Sequence, residues 1–172
     1  MHISRKAFFG ILLLTLCLLL SACIRTDTVS PHQVLEALCQ AETPLPAGRI
    51  YVLSAPQDST RHPSDNLLAA TFGNGCLPPE MDQVADAAFF LSYTHPCELA
   101  VFHCKTADGT DQVAEMCLRR LDSIKQYRTN SSTEEAYAAY LENACVTVRG
   151  KWVILLVSSD PATALRTFKR CV

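Results

Sequence analysis

The chain has 172 residues, 49% apolar and 19% charged, a balance that suits one globular domain of ordinary size and excludes an intrinsically disordered chain. Its 15 basic and 17 acidic residues give a formal charge of −2. That leaves no basic surplus for nucleic acid, so no nucleic-acid partner is expected.

Residues 1–22 carry Arg5 and Lys6 and no acidic side chain, and the run 7–20 is free of charge. A spanning helix needs about 20 apolar residues, so this shorter run has the length of a signal-peptide core instead. A buried amphipathic helix would show a polar face, and this run has almost none. At its end, Leu20-Ser21-Ala22-Cys23 resembles the lipobox of bacterial lipoproteins. The resemblance implies a diacylglyceryl group on the Cys23 thiol and removal of the signal, leaving Cys23 as the first residue. One myristoyl chain binds a bilayer marginally at about 0.8 kcal/mol per buried CH₂, whereas two long chains anchor stably. The expected organisation is a signal peptide at 1–22, a lipidated cysteine with a short tether at 23–30, and one domain at 31–172. The tether reaches about 25 Å at full stretch, so the domain sits close to the extracytoplasmic face of the cell membrane.

Ser30-Pro31 opens the domain as N-cap and first helical residue. Val34, Leu35 and Leu38 form one stripe, so residues 31–41 read as a short amphipathic helix, broken by Pro44, Pro46 and Gly48. Residues 49–53 are a candidate short strand, and the polar, proline-containing stretch 55–63 is a loop. Ser64 caps a helix running to about Phe72, which Gly73-Asn74-Gly75 and Pro78-Pro79 stop. Residues 81–92 fit two patterns, because Met81, Val84, Ala85, Ala88 and Phe89 have helical spacing while Phe89-Phe90-Leu91-Ser92-Tyr93 is strand-like. The His95-Pro96 turn and the apolar run after it favour a hairpin with strands at 87–93 and 98–104.

Asp108-Gly109-Thr110-Asp111 leads into the longest helix, 111–128, which buries Val113, Met116, Cys117, Leu121 and Ile124. Glu115 and Arg119 form an i,i+4 pair on its exposed side. Ser132-Thr133-Glu134-Glu135 fits a capping box before a short helix with Tyr137, Tyr140 and Leu141. The clearest hairpin spans 144–158, with Arg149-Gly150-Lys151-Trp152 as a II′ turn. That register sets Val148 opposite Val153 and Val146 opposite Leu155. Trp152, Ile154 and Leu156 face the other way, so the last strand is covered on both sides. Asp160-Pro161 starts a final helix burying Leu165 and Phe168. The expected fold is α+β, a two-layer arrangement with a mostly antiparallel sheet of about four strands packed against helices.

Of nine cysteines, Cys17 leaves with the signal and Cys23 is blocked by lipid. The remaining seven are Cys39, Cys76, Cys97, Cys104, Cys117, Cys145 and Cys171, an odd number with no CxxC. Mostly buried thiols acting as small hydrophobes are expected, with one or two disulfides as the alternative. His95, Cys97, His103 and Cys104 lie within ten residues. Adjacent strand residues His103 and Cys104 point to opposite faces, so at most three of the four converge and no metal is expected. No GxSxG, HExxH, P-loop or SxxK motif occurs in the exported part, so no catalytic or cofactor-binding residues are assigned. His32 and His62 lie in polar segments. Tyr51, Tyr93, Tyr127, Tyr137, Tyr140 and Trp152 border either the core or a binding surface.

Behind the lipobox, Glu98-Leu-Ala-Val-Phe102, the long helix through Tyr127, and the segment from Leu141 through Val146 and Trp152 to Ser158 carry a further likeness. In these elements the chain resembles the domain-of-unknown-function 4358 family of bacterial lipoproteins over about residues 64–172. The resemblance implies an exported, lipid-anchored bacterial protein with an α+β domain and brings no catalytic residues. The expected function is a membrane-anchored extracytoplasmic lipoprotein with a non-enzymatic binding or interaction domain. Its expected partners are the membrane, through the lipid anchor, and another cell-envelope protein or a small ligand. The alternative is a thiol-based redox protein or cysteine-dependent enzyme using Cys97 or Cys104.

Overall fold

The structure, a computed structural model, describes residues 29–130 and 137–172, the side chains of 127–130 excepted. The signal, the lipobox with Cys23, most of the tether, the Tyr127 side chain and the motif at 132–135 lie outside the described residues. Helix α1 (Pro31–Ala41) starts on a complete capping box. The Gln33 N–H donates to Ser30 Oγ at 3.2 Å, and the Ser30 N–H donates to Gln33 Oε1 at 2.9 Å. Strand β1 (Gly48–Val52) follows, then α2 (Asp65–Phe72), whose cap Ser64 accepts from the Leu67 N–H at 3.2 Å. A 3₁₀ turn (Pro79–Gln83) leads into β2 (Val84–Ser92) and β3 (Glu98–Cys104). The long helix α3 (Gly109–Asn130) and short α4 (Ala138–Glu142) precede the hairpin of β4 (Cys145–Arg149) and β5 (Trp152–Val157). Helix α5 (Pro161–Cys171) closes the described chain.

The five strands form one sheet in the order β1-β2-β3-β5-β4, with every neighbouring pair antiparallel. The expected α+β class therefore holds, with five strands in place of about four. The layering needs correction: helices cover both faces, so the sheet is the middle of three layers and not one of two. Period-2 alternation sends Phe89, Phe102, Val153 and Leu155 toward α2, α3 and α4, and Phe90, Leu99, Val101, Ile154 and Leu156 toward α1 and α5. Fully burying one such side chain stabilises the fold by about 1.5–3 kcal/mol, which explains why the central strands are apolar without interruption.

The β4–β5 register is as the sequence predicts, with Val148 opposite Val153 and Val146 opposite Leu155. Gly150 has φ +58° and Lys151 does not share the positive sign, the signature of a II′ turn. Val148 shares that face yet remains 43% exposed. Strand β2 begins at Val84, three residues before the predicted start at 87. A bulge between Val84 and Asp86 inserts one residue, so Val84 and Ala87 point to the same face. That three-residue spacing is what mimics a helix in the sequence. The Glu115–Arg119 pair does not form; Arg119 instead donates to Glu80 on the 3₁₀ turn at 2.6 Å, because the turn packs beside α3. Among the described residues, no helix is long and apolar enough to cross a membrane.

Candidate functional site

The connection between β2 and β3 closes one end of the sheet, and its shape is fixed by polar bonds. The Ser92 N–H donates to the Cys97 carbonyl at 3.1 Å and the Tyr93 N–H to the Ala47 carbonyl at 2.9 Å. The Ser92 hydroxyl donates to the Ala47 carbonyl at 3.1 Å and accepts from the N–H groups of Thr94 (3.2 Å) and His95 (3.1 Å). Thr94 Oγ1 lies 2.8 Å from His95 Nδ1, and the Tyr137 hydroxyl donates to the Thr94 carbonyl at 3.1 Å. The Tyr137 bond ties the head of α4 to the turn.

Beside this turn, on the α2–α3–α4 side of the sheet, lies a cavity of about 750 Å³. Small-ligand sites occupy roughly 300–1,000 Å³, so the volume falls in that class. Tyr51 of β1, Tyr93 and His95 of the turn, Ser123 and Ile124 of α3, and Tyr137 and Leu141 form its walls. Glu98, at the head of β3, points to this face because its neighbour Leu99 points to the other. Its carboxylate is buried and receives a forked set of bonds from Arg120: Nη2 at 2.8 Å, and Nε at 3.0 Å to one oxygen and 3.3 Å to the other. Burial pushes the Glu98 carboxyl above its ordinary range, and the Arg120 charge and hydrogen bonds pull it back. The pair locks the guanidinium plane in place on the cavity wall. Among the described residues, the hydroxyls of Tyr51, Tyr93 and Ser123 and the Arg120 Nη1 have no hydrogen-bond partner.

The thiols have different surroundings. Cys97 lies on the cavity wall but is buried, and burial, with Glu42 next in effect, raises its pKa far above the usual thiol range. Cys39 and Cys104 are each pushed up to about 11, chiefly by burial, and Cys117 is raised further. A thiol so shifted is protonated at neutral pH and a poor nucleophile. All seven described cysteines are free; Cys76 is exposed, while Cys145 and Cys171 are half-buried. His95 and Cys97 sit at one end of β3 and His103 and Cys104 at the other, where His103 stacks on Trp152 with ring centres 4.5 Å apart. Among the described residues, no group of three or more His, Cys, Asp or Glu side chains is placed to hold a metal. His32 lies 3.4 Å from Glu36, and His62 Nδ1 lies 3.0 Å from the Ala55 carbonyl.

Of the aromatic residues singled out in the sequence, Tyr51, Tyr93 and Tyr137 meet at the cavity, and Tyr140 packs behind them, 6.0 Å from the His95 ring. Trp152 belongs to the opposite face. Glu98 and Arg120 had no visible role in the sequence. The available signal was an acidic residue heading an otherwise apolar strand, since such a group is buried only with a partner. A second buried carboxylate, Glu42 at the end of α1, accepts from the hydroxyls of Ser158 and Ser159 and from the Ser159 N–H at 2.9 Å. It fastens α1 to the β5–α5 junction. Set against known proteins, the chain matches no family model, no curated protein and no solved structure.

Proposed function

We propose that the protein is a lipid-anchored extracytoplasmic bacterial lipoprotein whose domain binds a small ligand in the cavity beside the β2–β3 turn. The anchor is supported by Arg5 and Lys6, the apolar run after them and Leu20-Ser21-Ala22-Cys23, with Cys23 as the acylated residue. One observation carries the binding reading: side chains with unpartnered hydroxyls line the same space of ligand size as a guanidinium fixed by a buried carboxylate. The thiol-enzyme alternative would use Cys97 or Cys104, both buried, and the burial that raises their pKa favours binding over thiol chemistry.

Two measurements test this. Labelled palmitate should enter the parent chain and not Cys23→Ala, and the variant should leave the membrane fraction; a variant processed and retained like the parent refutes the anchor. For the site, thermal unfolding of the purified full chain is followed with the low-molecular-weight fraction of an envelope digest. Ligand at about a hundred times its Kd adds about 2.7 kcal/mol, a rise of roughly 5–10 °C. The rise is expected in the parent and not in Ser123→Trp, which fills the cavity from an exposed helix position. No rise in the parent, or an equal rise in both, contradicts the reading.

A further inference from the structure

The geometry points to a neutral sugar of one or two rings as the ligand of this cavity, an inference that rests on the binding reading above. Among the described residues, the Asp, Glu, Lys and Arg side chains on the wall are Glu98 and Arg120, of opposite sign and bound to each other at 2.8 Å. Among these described side chains a charged ligand finds no uncompensated acidic or basic partner, and desolvating it without one is unfavourable. An anion at Arg120 Nη1 would meet a guanidinium whose charge Glu98 already offsets at 2.8 Å. The charge balance therefore disfavours phosphates, carboxylates and amines together.

The side chains with unpartnered polar groups on the wall come from three elements: Tyr51 from β1, Tyr93, 64% exposed, from the turn, and Ser123 with Arg120 from α3. A hydroxyl both donates and accepts, so the complementary ligand carries hydroxyls around its circumference. A purely apolar or flat aromatic ligand would bury these groups unpaired. Leu91, Ile124, Leu141 and the tyrosine rings line the same cavity and suit a ligand with an apolar face. A sugar ring has both features, C–H faces and a hydroxyl edge. Because Arg120 is held by both Glu98 oxygens, its outer N–H groups are already oriented before a ligand arrives.

The test is calorimetric titration of the purified full chain with size-matched disaccharides. Cellobiose, maltose and diacetylchitobiose are neutral, chitobiose carries amines and digalacturonate carries carboxylates. At least one neutral disaccharide should bind saturably, about tenfold or more tightly than either charged one. Tyr51→Phe, which removes one hydroxyl, should weaken that binding roughly three- to tenfold, and Ser123→Trp should abolish it. Tighter binding of a charged member, neutral binding unchanged in Ser123→Trp, or no binding of any sugar overturns the inference. If no sugar binds but the envelope digest still stabilises the parent and not Ser123→Trp, the sugar assignment falls and the binding reading stands. If the digest effect is also missing, both fall.

Discussion

Removing Arg120 should cost more than removing the charge of Glu98, and the difference should depend on pH. The Glu98 side chain is 5% exposed and the Arg120 side chain 25%. In Arg120→Leu the carboxylate stays buried without its partner, a break that costs about 3–5 kcal/mol. In Glu98→Gln the guanidinium keeps an amide acceptor and access to the cavity, so the loss is smaller, about 1–2 kcal/mol. Without Arg120, burial alone acts on the Glu98 carboxyl, which already lies above its ordinary 4.5 in the parent. The folded variant then binds a proton that the unfolded chain has released. Its stability is greatest below that ordinary value and falls as pH rises toward the folded pKa, by up to about 1.4 kcal/mol per pH unit. Urea melts of parent and both variants near neutral pH and at about pH 4.5 measure this directly. The Arg120→Leu penalty should shrink on acidification, because its carboxyl is raised further than the parent's, while that of Glu98→Gln should grow, because only the parent gains by protonating Glu98. An equal Arg120→Leu penalty at both pH values, or a larger loss in Glu98→Gln at neutral pH, would refute the argument.

At the II′ turn, Gly150→Val should destabilise by about 1–2 kcal/mol, since its cost is the positive φ alone with open space around the new Cβ. Lys151→Ala should leave the urea midpoint unchanged, and equal midpoints for Gly150→Val and parent would show the turn to be misread. Phe102→Ala, which empties a fully buried site against Phe72, should cost about 3–5 kcal/mol in the same melts. In the folded protein at neutral pH, iodoacetamide should modify exposed Cys76 first and Cys97 and Cys117 last, read by peptide mass; early labelling of Cys97 would revive the thiol alternative.

The parts of the fold governed by neighbours in sequence were legible. Ser30, Ser64 and Asp160 cap the helices they precede, and Gly150 sets a register that the pairing of Val146 with Leu155 reproduces. The apolar run of β5 foretold cover on both faces, because a strand with one wet face would alternate. The start of β2 was hidden by its bulge, which replaces the period of two by a spacing of three. Local charge reasoning failed at Arg119, whose tertiary partner Glu80 lies 39 residues away and outcompetes Glu115. The same blindness applies to the cavity. Its tyrosines were visible as candidates, but Tyr51, Tyr93 and Tyr137 come from three elements and meet through the fold. The Glu98–Arg120 pair on its wall spans 22 residues and a strand-to-helix packing no periodicity encodes.

Native mass spectrometry of the full chain, extracted from its own membranes in mild detergent, tests the central claim most directly. One spectrum should show an N-terminus at Cys23 carrying lipid and a second population heavier by a small bound molecule, and that population should vanish in Ser123→Trp while the lipid remains. A chain still beginning at Met1, or a bound molecule that persists in Ser123→Trp, would contradict the account of an anchored protein binding through this cavity.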